Sequence, residues 1–290
     1  MNEKKKPKKL RRWLRDQLNN KWRAGFGKKK EKGVHNETPY IHSENTYKTY
    51  CSQCNHFADW CMEQGIKDKD EAFKVVPDYI NHLKSLKRSA CSIYTAICAI
   101  AKAYGVSTTT WEVEIPKRER ADIKRSRYAA KRDKHFSEEN NKELITFGLC
   151  IGLRRMELEA LRGNQLVQKS DGNYYITGIK GKGGKVRDAI VICSDDELKI
   201  IIKRMKAAGE GLVFNHVHSA FDEHYYRGLY VCRAYKSKAR DIETLERSEK
   251  YICRKDKAGI VYDKQAMLFA SRQLGHGRIS VVAENYLYNL

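Results

Sequence analysis

Six side chains that together could act on a phosphodiester are spread over the second half of the chain. In sequence order they are Arg154, Lys182, His224, Arg227, His276 and Tyr286. Guanidinium groups stay charged and bind phosphate oxygens through paired N–H donors, imidazoles exchange protons near neutral pH, and a phenol is a nucleophile once its proton is removed. Residues of these types could together carry out phosphoryl transfer, with a tyrosine as the attacking group.

The order of these residues resembles that of the tyrosine recombinases, the phage-integrase family. Residues 152–158 (GLRRMEL) are similar to the family's first arginine box, and residues 181–187 (GKGGKVR) are similar to its lysine hairpin. Residues 224–227 (HYYR) match the His-x-x-Arg box, residues 274–278 (LGHGR) match the Leu-Gly-His box, and Tyr286 stands where the nucleophile should be. Each motif alone is common, but the ordered set is not. The resemblance covers about residues 44–290.

The resemblance implies a catalytic role for each of the six. Arg154 and Arg227 would bind the two non-bridging oxygens, and His276 would donate a further hydrogen bond or assist proton transfer. Tyr286 would attack in line, with His224 helping to accept its proton. Lys182 would protonate the departing 5′-oxygen. The product would be a 3′-phosphotyrosyl link with a free 5′-hydroxyl, so rejoining needs no metal and no ATP, and no cofactor is expected.

Neighbouring residues are predicted to support this set. Glu157 either holds the guanidinium of Arg154, three residues before it, or is an exposed helix acid. Lys185 and Arg187 are expected to bind DNA phosphates without reading the base sequence. The same role is expected of basic residues further upstream, namely Lys117, Arg118, Arg120, Lys124, Arg125 and Arg127.

Three features depart from the family pattern. The gap between His224 and His276 is wider than usual, so the polar stretch 237–258 is interpreted as an insertion. The spacing from His276 to Tyr286 is one residue longer than the commonest one, which leaves Tyr288 as a rival nucleophile. Many relatives use a longer C-terminal helix to contact a neighbouring subunit. Here that contact is expected to be short or supplied elsewhere.

The positive charge of the chain is concentrated in two segments. The sequence has 57 Lys or Arg against 36 Asp or Glu, a net charge of +21. Residues 1–35 hold 14 basic and 3 acidic side chains, and residues 115–134 hold 9 and 3. A polyanionic partner is therefore expected, with nucleic acid favoured over an anionic membrane surface. Solvated tails are the alternative explanation of such runs.

Hydrophobic spacing and breaks in composition predict four segments. They are a basic N-terminal arm (1–39), a helical core DNA-binding domain (40–114), a basic interdomain linker (115–136) and a catalytic domain (137–290). In the arm, Leu10, Trp13, Leu14 and Leu18 sit at the spacing of a short amphipathic helix, expected to order on a partner.

The predicted fold class is mainly α with a small antiparallel β-sheet (α+β). Residues 174–179 and 186–192 have strand composition and flank the glycine-rich turn, so they are expected to form a hairpin. Helices are predicted at 47–62, at 70–86 with a break near Pro77, at 89–104 and at 141–154. The resemblance implies a helical SAM-like core-binding domain followed by a tyrosine-recombinase catalytic domain.

Composition argues against several other classes. No run of about 18 apolar residues is present, and no apolar stretch follows the basic start, so neither a membrane span nor a secretory signal is expected. Nine scattered cysteines are typical of reduced thiols in a cytoplasmic protein. Cys51, Cys54, His56 and Cys61 lack a second ligand pair at zinc-site spacing, and the three cysteines share an apolar helix face. No metal site is predicted.

Three functions are consistent with these residues. The leading hypothesis is a site-specific DNA recombinase, the integrase of a mobile element. The alternatives are a type IB topoisomerase-like enzyme that relaxes DNA, and a non-cleaving DNA-binding protein on the recombinase scaffold. The helical domain favours the first, and the complete set of six residues argues against the last.

The resemblance also implies partners and a location. The expected partner is double-stranded DNA carrying a specific recombination site, bound by a chain that is monomeric when free and a homotetramer on synapsed DNA. An accessory DNA-bending or directionality protein is compatible with this, and no membrane is involved. The expected location is the cytoplasm of a bacterial or phage-infected cell, associated with the nucleoid.

A steep dependence of DNA affinity on salt follows from the charge distribution. If residues 40–114 and 137–290 bind opposite faces of the duplex, with 115–136 crossing between them, many Lys and Arg side chains release counterions from DNA. We expect the logarithm of the association constant to fall steeply and linearly with the logarithm of salt concentration. Fluorescence anisotropy on labelled duplex measures this slope, and a nearly flat line would contradict the clamp.

Overall fold

The computed structural model describes residues 9–28, 38–119, 135–181, 184–254, 257–287 and 290. The chain divides into two compact units, Met1–Asp122 and Ile123–Leu290, so the division falls inside the basic segment 115–136. Within the described ranges, none of the helices is long and apolar enough to cross a membrane.

The first unit is built from helices. They are α1 (Lys9–Gly25), α2 (Glu44–Glu63), α3 (Lys69–Lys74), α4 (Val76–Ser85) and α5 (Ala90–Tyr104), followed by a 3-10 turn at Thr108–Trp111. Ser43 and Ser89 cap the starts of α2 and α5 through their side chains. Pro77 lies in the first turn of α4, where its missing N–H leaves no bond unmade, so the predicted helix 70–86 is two helices.

The position of helix α1 differs from the prediction, which was an arm that orders on a partner. Leu10, Leu14 and Leu18 are almost completely buried in one core with residues of α2 and α5. They recur every four residues and so form one apolar stripe on the helix. Cys51 and Cys54 pack in the same core, as the sequence predicted. Helix α1 therefore belongs to the first unit because its leucines complete that core.

The second unit combines six helices with two small sheets among its described residues. The helices are α6 (Lys142–Ile151), α7 (Arg155–Glu159), α8 (Asp195–Ala208), α9 (Glu223–Lys236), α10 (Lys264–Gln273) and α11 (Ile279–Asn285). The first sheet is antiparallel in the order β1 (Leu166–Gln168), β2 (Tyr174–Lys180) and β3 (Val186–Ile190), and the second pairs β4 (Lys250–Ile252) with β5 (Val261–Asp263). The mainly α fold with a small antiparallel sheet is confirmed.

Two details of the second unit differ from the sequence prediction. The stretch 237–258, interpreted as an insertion, contains β4, and β5 follows just beyond it; the β4–β5 hairpin was not predicted. Helix α6 ends before Arg154, because Gly152 has a left-handed backbone (φ +63°). A Cβ on Gly152 would lie 2.3 Å from the ring of Tyr230, so only glycine fits this close approach. The turn at Gly152 redirects the chain and places Arg154 at the start of α7.

Candidate active site

Arg154 is fixed by the turn that begins α7. Its backbone N–H donates to Glu157 Oε2 at 2.8 Å, and its guanidinium donates to Glu157 Oε1 at 2.8 Å. The structure thus contains the Arg154–Glu157 contact that the sequence suggested, and Glu157 is buried rather than exposed. The neighbouring Arg155 points away and donates to the carbonyl oxygens of Val217, His218 and Phe221.

Arg187 occupies a different position from the predicted DNA contact. Its two terminal nitrogens lie 2.8 Å from the two carboxylate oxygens of Glu157, and its Nε donates to the Gln273 carbonyl at 3.1 Å. Its side chain is only 10 % exposed. The sequence predicted that Arg187 binds DNA phosphates; in the structure all of its nitrogens are instead directed to Glu157 and to the Gln273 carbonyl.

A sequence signal for the inward position of Arg187 exists. Side chains alternate between the two faces of a strand, so Arg187 shares its face with Ala189 and with Val191 just beyond the strand. Both of these residues are buried. A charged residue on a buried face indicates a paired side chain, and Glu157 is its partner.

Arg227 is fully buried and bound by groups of the protein itself. One terminal nitrogen donates to the Gly152 carbonyl, the other donates to the Leu274 carbonyl at 2.8 Å, and Nε lies 3.5 Å from Tyr286 Oη. Burial lowers the pKa of Arg227, and the nearby Tyr286 and Glu157 partly oppose this decrease. Arg154 reaches the same Leu274 oxygen at 3.5 Å, so both predicted phosphate-binding arginines converge on one point.

His276 and Tyr286 lie beside these arginines. Their ring centroids are 6.1 Å apart, and the Tyr286 ring also lies 6.0 Å from the guanidinium carbon of Arg227. His276 Nε2 is buried without a hydrogen-bond partner. Burial and the nearby guanidiniums of Arg227 and Arg154 lower the pKa of His276 to about 4. The imidazole is therefore neutral at pH 7.

Several predicted residues lie apart from this cluster or outside the described residues. His224 is 60 % exposed on the first turn of α9, with its Nε2 3.9 Å from Glu223 Oε1. Lys117, Arg118 and Lys185 are exposed. Outside the described residues lie Lys182, Arg120, Lys124, Arg125, Arg127 and Tyr288.

The charge balance of the cluster favours an anion. Glu157 is surrounded by the guanidiniums of Arg154 and Arg187, and Arg227 lies 3.9 Å away. Burial alone would raise the pKa of Glu157, but its bonds with Arg187 and Arg154 outweigh burial and hold that pKa at about 2. One carboxylate therefore faces three guanidinium cations, which leaves a net positive charge next to Tyr286. This charge suits a phosphodiester.

We expect Glu157→Gln to destabilise the protein strongly. The glutamine keeps the volume but leaves the cations uncompensated, and losing one partner of a buried ion pair costs about 3–5 kcal/mol. Urea unfolding followed by circular dichroism measures the loss. Glu159→Gln, on the exposed side of the same helix, is the matched control and should cost about 1 kcal/mol or less. Equal effects of the two variants would contradict the central position of Glu157.

The lowered pKa of His276 predicts a pH dependence of stability. Between pH 6.5 and 4 the unfolded chain binds a proton at this histidine and the folded chain does not, so the free energy of unfolding falls as pH falls. We expect NMR to place the titration of the His276 imidazole near pH 4. The His276→Gln variant, which assigns the signal, should lose more of its pH dependence in this window than in any other. Titration near 6.5 would refute the buried, cation-flanked position.

Comparison with known proteins identifies solved structures with a similar fold. No model of a known protein family matches the sequence, and no curated protein is significantly similar to it. In solved structures, the Tn1549 transposon integrase with circular intermediate DNA aligns at a TM-score of 0.51 and 9 % identity, over 96 % of each chain. The same integrase with transposon right end DNA aligns at 0.50 and 11 % identity, over 97 % of this chain and 96 % of that one. The chain therefore has the fold of the Tn1549 integrase.

Proposed function

We propose that this protein is a site-specific DNA recombinase that cuts and rejoins strands through a 3′-phosphotyrosyl intermediate. The observation that carries the proposal is the convergence of Arg154, Arg227, His276 and Tyr286, which come from distant parts of the second unit. Two guanidiniums, one neutral imidazole and one phenol around a single point match the needs of phosphoryl transfer to tyrosine.

The arginines supply the binding site for the phosphate. A phosphodiester that enters the cluster would take the place of the Leu274 carbonyl as acceptor for Arg154 and Arg227. Tyr286 Oη would form a bond to phosphorus, and the bond from phosphorus to the 5′-oxygen would break. We propose that Lys182, which lies between β2 and β3 in the sequence, protonates that oxygen, as the resemblance to the recombinase lysine hairpin implies.

Of the two candidate histidines, His276 is the one whose ring lies beside that of Tyr286. His276 is neutral at pH 7, its buried Nε2 is unpartnered, and its ring is next to that of Tyr286. His224 is largely exposed, one turn before Arg227 on the same helix. We therefore propose that His276 takes part in the proton transfer and that His224 hydrogen-bonds the DNA backbone.

Double-stranded DNA is the proposed substrate. The Tn1549 integrase structures contain transposon DNA, and the chain has the same fold. Exposed Lys117, Arg118 and Lys185 are proposed to contact its phosphates. Because the phosphotyrosyl bond conserves the energy of the broken phosphodiester, the proposed reaction needs no metal and no ATP. A homotetramer on two paired sites completes the proposal.

A covalent trap tests the nucleophile. In nicked duplexes with randomised sequence around the nick, cleavage releases a short 5′-hydroxyl strand, so the strands cannot be rejoined. The protein then stays covalently attached to DNA, and the complex survives denaturing gel electrophoresis. We expect trapping by the wild type, none with Tyr286→Phe, and normal trapping with the neighbouring control Tyr288→Phe.

Two outcomes would overturn the assignment. If Tyr286→Phe still traps DNA and Tyr288→Phe does not, the nucleophile is Tyr288. If the wild type relaxes plain supercoiled plasmid without any selected sequence, the function is topoisomerase-like. Sequencing of the trapped duplexes should instead give one preferred site, as site-specific recombination requires.

A further inference from the structure

The end of helix α11, which carries Tyr286, is bound by side chains from other elements. This helix has seven residues, and the backbone of Tyr286 forms its C-terminal cap. So short a helix is not stable on its own, and its last carbonyl groups have no partner within the helix. The position of Tyr286 therefore depends on what binds these carbonyls.

The β4–β5 hairpin donates hydrogen bonds to one carbonyl near the end of the helix and to one just after Tyr286. Lys257, between the two strands, donates from Nζ to the Ala283 carbonyl at 2.9 Å and to the Leu287 carbonyl at 3.4 Å. Tyr262 on β5 donates from its hydroxyl to the Leu287 carbonyl at 2.8 Å. The positive charge of Lys257 also interacts favourably with the C-terminal end of the helix dipole.

Helix α9 contacts Tyr286 from a second side. Cys232 Sγ lies 3.7 Å from the Tyr286 carbonyl, and the same helix carries Arg227, which reaches Tyr286 Oη. Leu287 is 1 % exposed, and Tyr262 is buried as well. Burial raises the pKa of Tyr262 to about 12, so its hydroxyl keeps the proton that it donates.

We propose that Lys257 and Tyr262 are positioning residues that hold Tyr286 in the active site of its own subunit. The catalytic part of this inference rests on the proposed function, whereas the hydrogen bonds that hold the segment do not depend on it. The hairpin lies between the His-x-x-Arg and Leu-Gly-His boxes, in the stretch 237–258 and just beyond it. It binds the nucleophile's segment from within the same chain, so the nucleophile comes from the subunit that supplies Arg154 and Arg227.

Hydrogen exchange of the full-length protein without DNA tests the contact directly. The amides of Tyr286 and Leu287 both donate to the Val282 carbonyl and should be protected in the wild type. In Tyr262→Phe we expect them to exchange about tenfold faster, since a lost hydrogen bond of this kind weakens the closed state by roughly that factor. Lys257→Met should act in the same direction. Tyr251→Phe, on the residue paired with Tyr262, is the control and should change nothing. Unchanged exchange in Tyr262→Phe would overturn the proposal.

Trapping kinetics then separate positioning from mere stability. With Tyr262→Phe, covalent trapping should become slower, because the Tyr286 hydroxyl is held less well in line with the phosphorus, while the dissociation constant for uncleaved duplex stays the same. A mixture of Tyr286→Phe and Arg154→Ala chains should trap no DNA, because neither chain has a complete site. Trapping by the mixture would show that the tyrosine acts in another subunit. If the wild type itself never traps DNA, the proposed function fails, and the exchange experiment still decides whether the hairpin holds Tyr286.

Discussion

The carboxylate of Glu157 allows three guanidinium groups to share one buried space. Without it, Arg154, Arg187 and Arg227 would repel each other in a region of low dielectric, where such repulsion is strong. Its two oxygens bind Arg187 in a paired geometry and also hold the turn that begins α7. The start of α7, strand β3 and helix α9 are thus tied to one acid, and each of them carries an arginine to it.

Backbone carbonyls complete the arrangement around that acid. Gly152 at the end of α6 and Leu274 at the end of α10 present oxygens to Arg227. The carbonyl oxygens at the end of a helix have no hydrogen-bond partner within the helix, so Arg227 supplies the missing donors. The two carbonyls in turn hold its guanidinium in place. This reciprocity explains how a fully buried guanidinium is tolerated, and it links the packing of the second unit to the shape of the candidate site.

The sequence was informative where chemistry and periodicity agree. The order of Arg154, Arg227, His276 and Tyr286 predicted a cluster that the structure assembles, and strand composition predicted the β2–β3 hairpin. The expectation that Arg187 binds DNA rests on its charge and not on its place in the alternation of β3. The expectation of an arm at residues 1–39 likewise rests on charge, although the leucines of α1 repeat every four residues. Three-residue strands such as β4 and β5 are too short to give a periodic signal.

The Leu274 carbonyl has a consequence for how such a site would distinguish the transition state from the ground state. This carbonyl oxygen accepts from both Arg154 and Arg227. In the proposed reaction a phosphate oxygen would replace it as acceptor, and the two guanidiniums would keep their orientation. A neutral carbonyl competes well against the single charge of a resting phosphodiester. It competes less well once negative charge builds up on the phosphoryl oxygens during attack. In the proposed reaction the exchange would therefore become more favourable as attack proceeds, and it would accelerate the chemistry more than it tightens binding.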